Sequence, residues 1–173
     1  MISSKRVLVI DTSLLCVWLK IPGRDTCGKT GDEWTFDRVN EEITEAISDG
    51  FTLVLPLATI IETGNHIAQA PKHRRQKATE LGRLMSEAAE ANTPWAAFKH
   101  QTELWGPDRL RELAESWPAK ADMKFSLGDA TIERIGDFYA KTGCEVRFLT
   151  ADVQLRAYEP PPPPLIPRRR QTR

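Results

Sequence analysis

Four consecutive aliphatic residues, Val7-Leu8-Val9-Ile10, run straight into Asp11-Thr12-Ser13. An unbroken apolar run dominated by β-branched residues suits a strand buried on both faces. A strand of that kind suits the parallel sheet of an α/β fold, with helices on each side. In open α/β sheets, ligands sit beyond the carboxyl ends of the strands, so Asp11 falls at the mouth of any site. Asp11 is equally suited to cap a helix that starts beside it. Both readings stand until other acids are placed at the same edge.

The remaining elements follow in order. Leu14 to Leu19 reads as a short apolar helix, and Ile21 to Trp34 as a Gly- and Pro-containing loop near the mouth. Asp37 is the expected N-cap of a helix with Val39, Ile43, Ala46 and Ile47 on one face, ended by Asp49-Gly50. Phe51 to Pro56 reads as a second buried strand closed by proline. Leu57 to Ala70 is helical and carries Glu62, and Pro71 ends it. Ala78, Leu81, Leu84, Met85 and Ala88 give Arg74 to Ala91 a helical period. From Asn92 to Asp122, Pro94, Gly106-Pro107 and Pro118 divide the chain into short helices. Trp95, Trp105 and Trp117 serve there as anchors more readily than as base-stacking platforms. A helix opens at Ser126-Leu127-Gly128-Asp129-Ala130 and stops at Gly143. Val146 to Leu149 is the last strand, followed by Thr150-Ala151-Asp152 and a short turn or helix to Tyr158.

Those elements fit one domain over residues 1–159, with a helical insertion about 72–122. Residues 160–173 hold Pro160 to Pro164 and Arg168-Arg169-Arg170 and read as an extended tail. A hydrophobic share of 40% and a charged share of 28% are ordinary for a globular chain. No apolar run approaches the roughly 20 residues of a membrane span. Met1 to Arg6 carries no secretory cleavage pattern, so a cytoplasmic location is the expectation. Cys16, Cys27 and Cys144 are odd in number and lack C-x-x-C spacing, which argues for free thiols over a zinc site or a disulfide framework. His66, His73 and His100 share no ligand spacing and read as surface or packing residues. The formal net charge is zero, so the whole molecule does not attract nucleic acid. The basic stretch Lys72 to Lys77 and the Arg168–Arg170 cluster are local exceptions.

Asp11 and Asp152 follow buried strands, while Glu62 and Asp129 lie early in helices that begin at the same edge of a parallel sheet. Converging carboxylates raise one another's pKa unless a cation neutralises them. Oxygen ligands select a hard ion, Mg²⁺ or Mn²⁺, over zinc. Metal-assisted phosphodiester hydrolysis is the chemistry such a set would suit.

The segments around Asp11 (Val-Leu-Val-Ile-Asp-Thr-Ser), Glu62 (Thr-Ile-Ile-Glu), Asp129 (Leu-Gly-Asp-Ala) and Asp152 (Phe-Leu-Thr-Ala-Asp) occur in a telling order. In that order the chain resembles the PIN-domain family of nucleases, which includes toxin halves of bacterial toxin–antitoxin pairs. The resemblance implies a three-layer α/β/α sandwich with a central, mostly parallel sheet. It implies that Asp11, Glu62, Asp129 and Asp152 hold Mg²⁺ or Mn²⁺, with Thr150 as the supporting hydroxyl and Ser13 beside the first acid. The implied activity is cleavage of single-stranded RNA, whether tRNA, rRNA or mRNA, to a 5′-phosphate and a 3′-hydroxyl. Arg74, Arg75 and Lys77 are candidates for the RNA track, and an antitoxin chain and a second copy are the expected partners.

The segment between Glu62 and Asp129 is longer than in compact toxin-type members, and the Pro/Arg tail is additional. Asn65 reads as helix-surface polarity, and Glu133 is balanced between an outer ligand and a solvent-facing charge. The alternative to an enzyme is a catalytically silent PIN-like scaffold in an RNA-processing assembly. An aspartyl phosphotransferase of the haloacid-dehalogenase type wants a second acid where Ser13 stands, and is set aside.

Overall fold

A computed structural model describes residues 5–164. The Arg168–Arg170 cluster and most of the tail lie outside the described residues; Pro160 to Pro164 forms no regular element. Five strands, β1 (Arg6–Ile10), β2 (Cys27–Lys29), β3 (Asp32–Trp34), β4 (Phe51–Val54) and β5 (Glu145–Leu149), are joined by seven α-helices and a 3₁₀ helix at Phe98–Trp105. The helices are α1 (Thr12–Trp18), α2 (Phe36–Ser48), α3 (Leu57–Gln69), α4 (Arg74–Ala89), α5 (Pro107–Asp122), α6 (Leu127–Lys141) and α7 (Val153–Arg156).

The main sheet is three-stranded and wholly parallel, in the order β4-β1-β5. β1 lies in the centre, and its alternation explains the unbroken apolar run. Leu8 and Ile10 enter a core with residues of α1 to α4, and Val7 and Val9 enter a second core with α5, α6 and α7. The chain is therefore α/β, with helices against both faces in an arrangement compatible with an α/β/α sandwich. The segment read as an insertion belongs to both cores: Leu81, Leu84 and Ala88 pack on one side, Leu113 on the other. The outer edge of β4 is covered where Leu53 donates to Pro94 O (2.8 Å) and accepts from Ala96 N (2.8 Å), so it is not left as an open template. Among the described residues, no helix is long and apolar enough to cross a membrane.

Three local expectations need correction. Residues read as a loop include a two-stranded antiparallel hairpin, β2 against β3, with Cys27 opposite Trp34. Its tight turn uses Gly31 at φ +88°, a backbone conformation that costs glycine little. Thr35, not Asp37, caps α2, and Asp37 instead lies in the first turn, where its charge complements the helix dipole. Pro118 does not end a short helix; α5 continues through it to Asp122. The carbonyl four residues before that proline belongs to Ala114, an exposed residue, so losing the helix bond there costs less than it would in the core. Trp95 is buried and Trp117 half-buried, each donating its indole N–H (to Glu87 and to Phe125 O), which makes them anchors.

Gln101 is the least obvious structural residue. Its amide donates to Leu55 O (2.8 Å) and its carbonyl accepts from Leu57 N (3.1 Å), clamping the turn that launches α3. At 3% exposure it has no access to water in compensation. Gln101→Ala leaves a buried donor and acceptor unpaired, and is expected to lower stability by about 2–3 kcal/mol in urea denaturation.

Candidate active site

The end of β1 is fixed by its neighbours. Asp11 N donates to Leu149 O (3.0 Å), continuing the ladder one step beyond the strand. Thr59, near the start of α3, donates its hydroxyl to Ile10 O (2.9 Å). The carboxyl ends of β1 and β5 and the start of α3 are thereby held together at the edge where an α/β sheet places ligands.

Asp11 is both cap and site residue. One oxygen, Oδ1, accepts from Thr12 N (2.6 Å) at the head of α1. The other, Oδ2, accepts from the Ser13 hydroxyl (2.8 Å) and the Thr150 hydroxyl (2.9 Å). Despite these three donors, burial pushes its pKa up from 3.8 to about 6, and the charge of Asp129 adds to the rise. A carboxylate that needs only a cap has no reason to lie so deep that its charge is disfavoured.

Glu62, in the second turn of α3, accepts from the Thr12 hydroxyl (2.7 Å), so residues 11 and 12 position both acids. Its other oxygen, Oε1, lies against Gly128. A Cβ at that position would stand 2.4 Å away, so the glycine makes room for the carboxylate. Asp129 follows in the first turn of α6. Its Oδ2 completes a capping box with Ser126, which leaves Oδ1 outside the box.

Asp152 stands three residues beyond β5 and caps α7, accepting from Gln154 N (2.7 Å). Its own amide donates to the Thr150 hydroxyl (3.0 Å), which links it to Asp11 through one residue. Asp11, Glu62 and Asp129 thus share one edge, and Asp152 approaches it with its carboxylate turned into a helix start. As the side chains stand, no three His, Cys, Asp or Glu among the described residues form a group able to hold a metal ion. Convergence is therefore looser than the strand-and-helix pattern implies, because three of the four carboxylates, Asp11, Asp129 and Asp152, also satisfy N–H groups at helix starts.

Asp11 and Glu62, but not Asp129 or Asp152, line a cavity of about 260 Å³ together with Ser13, Arg24, Cys27 and His66 among others. Its far wall comes from the segment before and into the β2–β3 hairpin. No protein-family model, curated protein or solved structure matches the chain.

Arg24, Cys27 and His66 were not singled out for this site by sequence. The only available signal was for His66, one helical turn after Glu62 and hence on the same face. Cys16 also lines the cavity, but burial pushes its thiol up to about 11, which removes it as a nucleophile near neutral pH. Glu133 is neither an outer ligand nor solvent-facing: half-buried, it pairs with Lys120 of α5 in a separate groove. Asn65 is exposed. None of Arg74, Arg75 and Lys77 lines the cavity; Arg75 is exposed, Arg74 donates to Ala70 O, and Lys77 pairs with Glu80 (2.7 Å).

Proposed function

We propose that this chain is a PIN-like, metal-dependent ribonuclease hydrolysing phosphodiester bonds of single-stranded RNA. The observation that carries the reading is Asp11, a buried carboxylate with a pKa near 6 at the end of the central strand, facing a cavity shared with Glu62. The donors are of the kind a hard divalent ion takes, every nearby acid offering oxygen, but Asp129 and Asp152 must turn from their helix starts before the set converges on one ion. Asp11, Glu62 and Asp129 would hold Mg²⁺ or Mn²⁺, with Asp152 joining once its carboxylate leaves the head of α7. Such an ion supplies positive charge to the phosphoryl oxygens and lowers the pKa of water. Ser13 and Thr150 fix Asp11 from one side, and Thr12 aims Glu62. In this reading the toxin role and an antitoxin partner remain subordinate proposals, since they concern a second chain.

The capping bonds of Asp129 and Asp152 favour a second reading, a PIN-like scaffold without catalysis. A mixed single-stranded RNA pool incubated with Mn²⁺ or with EDTA separates the two. The nuclease cuts with Mn²⁺ and not with EDTA, and Mn²⁺ raises its melting temperature because the ion binds only the native state. Absence of both effects would leave the scaffold.

A further inference from the structure

Among the described residues, the acid site includes a cation that forms no ion pair with an acid. Arg24 lies between α1 and the hairpin, its backbone N–H bonded to Ile21 O (2.8 Å), and it lines the cavity with Asp11 and Glu62. Among the described residues its guanidinium forms no salt bridge. Instead Nη2 stands 3.1 Å from Nδ1 of His66. Arginine only donates, so His66 accepts at Nδ1 and, neutral, keeps its proton on Nε2. Burial, reinforced by the Arg24 charge, lowers the His66 pKa and favours that neutral form. His66 sits one turn after Glu62 on α3, so the bond holds the cation on the wall beside the acid.

A guanidinium held by a neutral acceptor keeps its full charge and most of its donor fork. An oxyanion is the ligand that matches it, and the fork suits two oxygens of one phosphate. Next to an acidic set that would otherwise repel a polyanion, Arg24 is the one lysine or arginine among the described residues that line the cavity, and so marks the wall able to attract it. We propose that Arg24, oriented by His66, binds the phosphate of a single-stranded RNA substrate at the cavity wall facing Asp11 and Glu62. Arg24 is the binding residue and His66 a positioning residue, and the inference rests on the nuclease reading of the same cavity.

The test measures binding of a short fluorescein-labelled single-stranded RNA by anisotropy in Ca²⁺ buffer over a range of salt, with Mn²⁺-dependent cleavage measured separately on the full chain. Arg24→Gln is expected to weaken binding at least about 10-fold. It should also flatten the log K against log salt slope by about 0.7, the contribution of one single-strand phosphate contact. His66→Ala should act in the same direction, while His66→Asn, which can return an acceptor near the Nδ1 position, should recover most of the affinity. A merely structural role would not move the salt slope. Unchanged affinity and slope in Arg24→Gln overturn the inference, as does absence of RNA binding by the wild type. Cleavage decides the other question independently: cutting that survives Arg24→Gln with unaltered KM rejects the arginine and leaves the nuclease. Arginine-dependent binding without any cutting keeps the arginine and rejects the nuclease.

Discussion

Asp11→Asn is expected to reduce metal-dependent RNA cleavage by at least about 100-fold and, in EDTA at neutral pH, to make the folded protein more stable. The first effect follows from removing the deepest negative charge of the proposed ligand set. A bound ion contributes several kcal/mol of charge stabilisation, and about 1.4 kcal/mol corresponds to tenfold in rate. Asparagine keeps the size and the oxygen that accepts from Thr12 N, so the head of α1 survives. Cleavage is read from single-turnover rates on the RNA that the wild type cuts. Retained cutting would remove Asp11 from the reaction.

The second effect follows from linkage. Burial, with a smaller push from Asp129, raises the folded-state pKa of Asp11 from 3.8 to about 6. Between those values the folded state holds a proton that the unfolded chain has released. Stability from this group is therefore greatest below pH 3.8 and declines as pH rises towards 6. The full loss, about 3 kcal/mol, is present by pH 7. Asparagine carries no charge and avoids that loss, but it disturbs the bonds from Ser13 and Thr150, which offsets about 1 kcal/mol of the gain. Urea denaturation in EDTA should show the variant ahead by about 1–2 kcal/mol at pH 7.5, with the advantage gone near pH 4. A variant less stable than wild type at pH 7.5 would mean that Asp11 is an ordinary cap. Gain of stability with loss of activity is the pattern expected where a site holds unfavourable charge for a function.

The sheet was legible because β1, β4 and β5 announce themselves by composition, and parallel connection then dictates where their ends meet. Asp11, Glu62 and Asp129 could be assigned to one edge on that basis alone. What escaped was set by contacts distant in sequence. The hairpin at Cys27–Trp34 has strands of three residues each, too short to show a period of two, and its turn signal was submerged among other polar residues. Arg24 acquires a meaning only through His66, 42 residues away. Gln101 gives no sign in the sequence that it closes the β4–α3 turn, because its partners are backbone atoms. The capping bonds of Asp129 and Asp152 were readable in principle, since Ser126 precedes Asp129 by three and both acids begin helices. Their competition with the proposed metal ion is visible only when the carboxylate oxygens are traced one by one.

Gly128→Ala is expected to separate activity from stability in the opposite sense to a core mutation. The added Cβ would stand 2.4 Å from Glu62 Oε1, and the flexible end of the glutamate, not the backbone, would move. Alanine also suits a helix better than glycine, by up to about 1 kcal/mol. Urea denaturation should therefore report stability equal to or above wild type. Cleavage should fall about 100-fold, because displacing a site group by about 1 Å has an effect of that size. A collapse in stability would show that the backbone yields instead, and unchanged cleavage would show that Glu62 is not needed where it stands. Coupling provides the control. In a Glu62→Gln background the alanine should add little, since both changes act on the same carboxylate. Additive losses would place the effect of Gly128 elsewhere on α6, and the neighbouring Asp129, held by the same first turn, would then be the group displaced.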